Sequence, residues 1–290
     1  MTWLRLLLAA MLLAAIPAAS AEAIPQYCHK NNDGELIPPS AEQAYQEGKF
    51  SLAAMLAEKG TTRRALAFAA RAHIADAITR VGGLCIACLR RAESVAQAAT
   101  NAVVPTQCGR WTHNEAEETR AKAEGYVQLA IAIGFRGRLV DSIEAQSKGL
   151  AEKGRAAIDR ALELDPLNVW ARGSLGGWHL EIVHRGGPIL ASVLYGANEE
   201  EGLRNFRRAL AADPGSLLLH YHYALSILAL DTERFRSEAL AKLQTGYKDP
   251  RADALTQFTR KRTDTLMEKL KSGTVEEIET LVRRYQGYPD

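Results

Sequence analysis

This sequence has almost no excess of positive or negative charge, and it has few or no strand-like runs, long apolar segments or common catalytic motifs. Its 36 Lys and Arg residues against 34 Asp and Glu residues give a formal charge of +2. Such a balance offers no electrostatic reason to expect nucleic acid or an anionic membrane surface as a partner. β-Branched, strand-like runs are almost absent, which argues against a sheet. After residue 21 no apolar run is long enough to span a membrane.

Short catalytic and metal-binding signatures are also missing. The sequence contains no G-x-x-x-x-G-K-[ST], no G-x-S-x-G and no H-E-x-x-H. Leu89 follows the C-x-x-C where a haem-attachment motif needs histidine. Only one C-x-x-C is present, so the sequence gives little indication of a structural zinc site. His179 and Glu181 stand two residues apart, which is about 200° around a helix, so they cannot converge on one ligand. We therefore expect no catalytic residue, no metal site and no cofactor.

The N-terminus carries the clearest single signal. Arg5 precedes the apolar run "LLLAAMLLAAIPAA", and Ala19-Ser20-Ala21 has the small-x-small pattern of a cleavage site. We expect residues 1–21 to be a signal peptide cleaved near Ala21, and the mature protein to be periplasmic or secreted. No cysteine stands at the cleavage point, which disfavours a lipid anchor. We expect an extended segment over 22–40 and a helical domain over 41–290.

Four cysteines follow the expected cleavage point: Cys28, Cys85, Cys88 and Cys108. An even count in an oxidising compartment favours two structural disulfides. Cys85 and Cys88 lie in a stretch that reads as helix, where residues three apart have Cβ atoms about 5–6 Å apart. A disulfide needs about 3.5–4.5 Å, so outward pairing to Cys28 and Cys108 is favoured. The alternative is a redox-active C-x-x-C at a helix N-terminus after Gly82-Gly83, where thiol pKa values fall.

Helical periodicity dominates from Ala41 onward, and glycine and proline interrupt it at short intervals. These patterns predict an all-α protein of antiparallel helix hairpins, arranged as an α-solenoid. The predicted helices cover 41–59, 62–80, 84–101, 114–135, 142–163, 168–184, 188–196, 199–211, 216–229, 232–246, 251–271 and 274–286.

Two stretches, "RAAIDRALELDPLN" and "GLRNFRRALAADPGS", share one skeleton of small, large, small and proline positions. These are Gly154, Ile158, Ala161 and Pro166 in the first copy, and Gly202, Phe206, Ala209 and Pro214 in the second. The spacing is typical of the second helix of a tetratricopeptide repeat. Leu175-Gly176 lies ten residues beyond Pro166, where that repeat keeps a Leu-Gly pair. The interval from Leu175 to Ala209 of the second copy is longer than the corresponding interval of a standard repeat. The excess matches one segment, "HRGGPILASVLYGA" at 184–197, which predicts an inserted short helix.

The stretch "SLGGWHLEIV", the inserted apolar segment and "GLRNFRRALAADP" together resemble the tetratricopeptide-like domain of the regulator of microtubule dynamics family. The resemblance covers roughly 160–230 and implies an all-helical repeat fold with an adaptor-like, non-catalytic role. An export signal and paired cysteines depart from that family, so microtubule binding is not carried over. The chain is also similar to periplasmic repeat proteins that accompany tripartite solute transporters, although the lipid-anchor cysteine usual there is missing.

In this repeat class one face of each first helix lines a concave groove. Counted from the Leu-Gly pair, the groove positions are Trp170, Gly173, Gly177, Leu180, Leu218, Tyr221, Leu225 and Leu228. This set is apolar, so either another helix fills the groove or it binds an apolar peptide or small hydrophobic ligand. We expect a scaffold or adaptor for a protein or peptide of the cell envelope.

Two other functions stay open. A ligand-binding accessory protein would have a pocket among Trp170, Trp178, Tyr195 and Tyr221, with the inserted helix as filler or lid. A thiol oxidoreductase would use Cys85 and Cys88.

Overall fold

A computed structural model describes residues 37–80, 85–102 and 115–289. The expected signal peptide, most of the expected extended segment, Cys28 and Cys108 lie outside these residues. The described residues form thirteen α-helices and no strand, which confirms the all-α expectation for them. The helices are α1 Pro39–Gln46, α2 Phe50–Ala57, α3 Arg63–Thr79, α4 Ile86–Asn101, α5 Glu115–Leu139, α6 Ser142–Ser147, α7 Leu150–Leu164, α8 Val169–Tyr195, α9 Glu199–Ala212, α10 Leu217–Leu230, α11 Thr232–Gly246, α12 Ala254–Ser272 and α13 Val275–Gln286.

Local side-chain caps determine where most of these helices begin. Eight described helices follow a Ser, Thr, Asp or Asn whose side chain accepts a hydrogen bond from the backbone N–H three residues on. Such a cap satisfies one of the N–H groups that a helix leaves unpaired in its first turn. At α13 the bond is reciprocal, because Glu277 also accepts from the backbone of Thr274.

Glycines with positive φ account for two differences from the predicted helices and for one predicted break. Gly48, with φ 78°, divides the predicted helix 41–59 into α1 and α2. Gly149, with φ 59°, divides the predicted helix 142–163 into α6 and α7. The two helices predicted over 168–184 and 188–196 both lie within α8, where the non-helical backbone of Gly187 (φ 74°, ψ 161°) separates them just before Pro188. Only glycine takes these φ values at little cost.

Helices that are close in sequence also pack against each other. The most extensive contacts join α8 to α9, α5 to α7, α3 to α4, and α10 to α11. Two large buried clusters result, an alanine-rich one centred on α1 to α4 and a leucine- and aromatic-rich one centred on α9 to α13. The N-terminal end of α12 returns to α1 and α3, where Leu255 joins the alanine-rich cluster. None of the described helices is long and apolar enough to cross a membrane.

Helices α8 and α9 touch through backbone at two glycines. A Cβ at Gly176 would lie 2.6 Å from Cδ2 of Phe206 and 2.9 Å from the carbonyl oxygen of Gly202. A Cβ at Gly202 would collide with Leu180 and lie 3.2 Å from the carbonyl oxygen of Gly176. Gly202 of the second skeleton copy and Gly176 of the Leu-Gly pair therefore mark a close approach of two helices. Gly173 and Gly177 have more room, because the nearest atoms to a Cβ there are side-chain carbons at 3.1 and 3.6 Å.

We expect Gly176→Ala to lower the free energy of unfolding by about 1–3 kcal/mol, because the added methyl group overpacks the contact. This loss outweighs the gain in helix propensity of about 1 kcal/mol. The matched control is Gly134→Ala in α5, where a Cβ meets nothing within 4 Å and only the propensity gain remains. Urea denaturation of both variants checks the prediction, and a Gly176→Ala protein as stable as the control would contradict it.

The loop after α8 is held by a buried neutral histidine. His179 is 4% exposed, and its Nδ1 accepts a hydrogen bond from the backbone N–H of Asn198 at 3.2 Å. Burial, and then the positive charge of Arg155, lower the pKa of His179 to about 4. Protonation would place a charge in the core and break the bond to Asn198, which explains the direction of the shift.

This histidine should make stability depend on pH. The pKa of His179 is lower in the folded state than in the unfolded state, so the unfolded state binds more protons between about pH 6.5 and 4. The free energy of unfolding therefore decreases as the pH is lowered through that window. His179→Asn keeps an acceptor for Asn198 and removes the titration. Between pH 7.5 and 5.0 the free energy of unfolding should therefore decline by about 2 kcal/mol less in this variant than in the unsubstituted protein. Equal declines in urea titrations at the two pH values would refute this account.

Candidate ligand-binding cavity

A half-enclosed cavity of about 430 Å³ lies between α5, α6, α7 and α8. Its inner wall is completed by Phe206 of α9 and by Leu219, His222 and Ser226 of α10. Three glycines on the cavity side of α5 and α8, Gly134, Gly173 and Gly177, leave space that larger side chains would fill. The volume falls within the range of small-molecule sites in proteins, about 300–1,000 Å³.

Aromatic side chains form much of the wall, and one is fixed at both ends. The indole N–H of Trp178 donates to the carbonyl oxygen of Ala151 at 2.9 Å, which ties α8 to α7. The guanidinium of Arg155 lies 5.1 Å from the centre of the Trp178 ring, a favourable cation–π distance. Trp170 and Tyr195 line the cavity farther along α8. Trp178 is therefore held in place by the protein itself.

The inserted segment, residues 184–197, covers one side of the cavity. Ala191 is buried against Val183 and Ala197, whereas Leu190 and Leu194 line the cavity and are 56% and 60% exposed. Residues that are exposed and also line the cavity mark its mouth. The inserted segment therefore forms part of the cavity wall beside the mouth and does not fill the cavity.

One end of the cavity is polar. Arg138 of α5 pairs with Glu181 of α8, with its Nη2 2.8 Å from Oε2, and each side chain is only 16% exposed. The hydroxyl of Tyr288 donates to the other carboxylate oxygen of Glu181. Burial raises the pKa of Glu181, but the charge and hydrogen bonds of Arg138 and the bond from Tyr288 outweigh it, so the net shift is downward. The carboxylate is therefore ionised and fully committed to these two partners.

Glu181→Gln should lower the free energy of unfolding by about 3 kcal/mol, because it leaves the buried Arg138 without a counter-charge. The matched control is Glu163→Gln, which breaks the pair between Arg160 and Glu163, two side chains that are both more than half exposed. That change should cost less than about 0.5 kcal/mol. Chemical denaturation of the two variants checks the contrast, and similar losses would show that the polar end is not a buried pair.

Two further groups at the polar end differ in charge. Burial, and then Arg138 and Arg262, lower the pKa of His222 to about 4, so this imidazole is neutral near pH 7. Arg185 of α8 donates to the carbonyl oxygen of Gly137 at 2.7 Å and to Oγ of Ser142 at 3.2 Å. It thereby joins α8 to the end of α5 and the start of α6.

The eight groove positions predicted from the sequence separate into two groups. Trp170, Gly173 and Gly177 line the cavity. The remaining five, Leu180, Leu218, Tyr221, Leu225 and Leu228, do not line it, and all but the partly buried Leu218 are at most 4% exposed.

Helix α13 covers two members of this second group, Tyr221 and Leu225. The ring centres of Tyr285 and Tyr221 are 6.3 Å apart, and the side-chain amide of Gln286 donates to the carbonyl oxygen of Leu225 at 3.3 Å. A continuous groove through all eight positions is therefore not open. Of the four aromatics proposed for a pocket, Trp170, Trp178 and Tyr195 line the cavity, and Tyr221 belongs to the core.

The cysteine pairing differs from the favoured expectation. Cys85 and Cys88 are bonded to each other, with their Cα atoms 5.2 Å apart, within the usual range for disulfides. The sequence argument placed both residues inside a helix. In the structure Cys85 is the N-cap of α4, with extended backbone angles of φ −87° and ψ 103°. Helical spacing does not apply across the cap, so Cys85 and Cys88 can bond to each other. The expected pairing of these two residues with Cys28 and Cys108 is therefore wrong.

The polar end of the cavity was missed by sequence reasoning. Arg138, Glu181 and Tyr288 come from α5, α8 and the end of the chain, and no short motif links them. The different partners of His179 and Glu181 agree with their opposite directions on α8. Within the described ranges, no group of three or more His, Cys, Asp or Glu side chains could hold a metal ion.

Comparison with protein-family models, with curated protein sequences and with solved structures finds no match to this chain.

Proposed function

We propose that this protein is an exported helical repeat protein that binds one small, largely apolar molecule in the cavity between α5 and α8. The observation that carries the proposal is the cavity, which combines a fixed aromatic wall with a polar cluster at one end. Binding sites for small molecules have this composition, because apolar area supplies affinity and a few polar groups fix orientation.

Burial favours the cavity over a peptide groove. Tyr221 and Leu225 are core residues beneath α13, so a peptide would have to displace that helix to reach them. The cavity requires no such displacement. The ligand-binding alternative is therefore preferred to the scaffold that the sequence pattern first suggests.

The repeat and export parts of the proposal have separate support. The α8–α9 hairpin contains the Gly176–Gly202 contact at the positions that the tetratricopeptide pattern reserves for small residues. The apolar N-terminal run and the small-x-small site over residues 1–21 support export. A binding protein in the cell envelope that hands its ligand to another component accords with both.

A second function, the adaptor, has its own observation. Ile189 and Val193 of the inserted segment are 77% and 76% exposed, and Ile143 of α6 is 81% exposed. Apolar side chains grouped on one exposed helix often mark a protein contact. This surface is distinct from the predicted groove, so an adaptor would use the outer face of the inserted segment.

The binding proposal is tested with Nile red, an uncharged dye that fluoresces in apolar surroundings. The purified protein should bind it saturably, with one site per chain. Gly134→Phe should weaken binding about tenfold or more, because Gly134 lines the cavity and a side chain there enters open space. Fluorescence titration provides the measurement.

The control for this test is Ala211→Phe, which adds the same ring on the exposed side of α9, away from the cavity. It should leave the affinity unchanged. If both variants bind the dye like the unsubstituted protein, the dye occupies another surface and the cavity proposal fails. If Ile189→Asp abolishes binding while Gly134→Phe has no effect, the outer face of the inserted segment is the site and the adaptor is favoured.

A further inference from the structure

The charge of the cavity is unbalanced. Two guanidinium groups and one carboxylate line it, those of Arg138, Arg185 and Glu181. Glu181 is committed to Arg138 and Tyr288. This leaves one excess positive charge, which belongs to Arg185.

Arg185 has neutral partners only. Its guanidinium donates to a backbone carbonyl and a hydroxyl, those of Gly137 and Ser142. Among the described residues no carboxylate lies within ion-pair distance of its guanidinium, and the side chain is only partly exposed. A guanidinium has five N–H donors in a planar fork, so its remaining donors are free for an acceptor in the cavity.

The other polar groups nearby do not neutralise this charge. His222 is uncharged, and its depressed pKa reflects the positive potential of Arg138 and Arg262 as well as burial. Gln146, Ser174 and Ser226 line the cavity as neutral hydrogen-bonding groups. An apolar space with one unpaired guanidinium at its polar end is complementary to a molecule with one negative charge and an apolar body.

We propose that the ligand is a monocarboxylate with an apolar chain or ring, whose carboxylate pairs with Arg185 while the apolar part lies along Trp170, Trp178 and Leu194. This inference rests on the proposed function, since it names the class of molecule that the cavity takes. A carboxylate fits because its two oxygens match the fork of a guanidinium and because its single charge equals the excess in the lining.

The experiment is displacement of Nile red by decanoate and, separately, by its uncharged methyl ester, both below the concentrations at which they aggregate. The two competitors share an apolar chain and differ in the charge. Decanoate should displace the dye at a concentration about tenfold or more below that of the ester, as expected for a hydrogen-bonded charge. This comparison requires no variant and is unaffected by any folding defect.

Arg185→Gln should then remove the preference for decanoate over the ester, measured within this variant as the ratio of the two concentrations that displace the dye. The matched control is Arg172→Gln. Arg172 lies on the same helix and also donates to a backbone carbonyl, that of Pro166 at 2.8 Å, but it does not line the cavity. The control should keep the preference of the unsubstituted protein.

The outcomes separate the two proposals. If Nile red binds and the ester displaces it as well as decanoate does, the carboxylate inference is overturned while the binding function stands. The inference is also overturned if Arg185→Gln and Arg172→Gln lose the preference equally, because the effect would then come from net charge. If Nile red does not bind the unsubstituted protein at all, the proposed function fails first.

Discussion

The backbone contact between α8 and α9 at Gly176 and Gly202 fixes the orientation on which the cavity depends. Because a Cβ at either position would meet the opposing helix, the two helices can lie close only along this face. Trp178, on another side of α8, is then turned toward α7, where its indole N–H donates to the carbonyl oxygen of Ala151. Gly177, one residue beyond the contact, has ordinary clearance and contributes space instead of contact.

A second constraint closes the far end. Arg138 and Glu181 hold α5 to α8, and Tyr288 brings the end of the chain onto the same carboxylate. Taking two charges out of water is costly unless each is paired and hydrogen-bonded, so the three residues must stay together. Their commitment to one another is what gives Arg185 its significance, because the acidic group nearest to it in sequence on α8 is already engaged.

Local signals account for most of what the sequence could predict. Asn168, Asp231 and Thr274 cap helices within a residue of the predicted starts, since the capping bond involves only the next three residues. The helix breaks at Gly48 and Gly149 do not follow from the sequence pattern, because a glycine inside a periodic pattern can either continue a helix or end it. The deciding quantity is the backbone angle that the fold imposes.

The site was predictable only in part, because it joins residues that are distant in the chain. Trp170 and Gly177 could be singled out by counting from the Leu-Gly pair. Whether the counted positions are open depends on α13, which lies some 60 residues from Leu225 and covers it through Gln286. The pairing of Cys85 with Cys88 was likewise decided by a single residue boundary, since Cys85 precedes α4 and escapes helical spacing.

The inserted segment connects the two proposed uses of this region. Gly187 and Pro188 end the regular part of α8, and Gly196, with φ 64°, ends the short helix that follows. That helix is anchored mainly through Ala191, a small side chain, while Leu190 and Leu194 are exposed at the cavity mouth. The apolar part of a ligand would cover these two side chains from within, whereas a partner would cover Ile189 and Val193 on the outer face of the same short helix. Because both would contact one helix that is held mainly through a small side chain, binding at one face is expected to influence binding at the other.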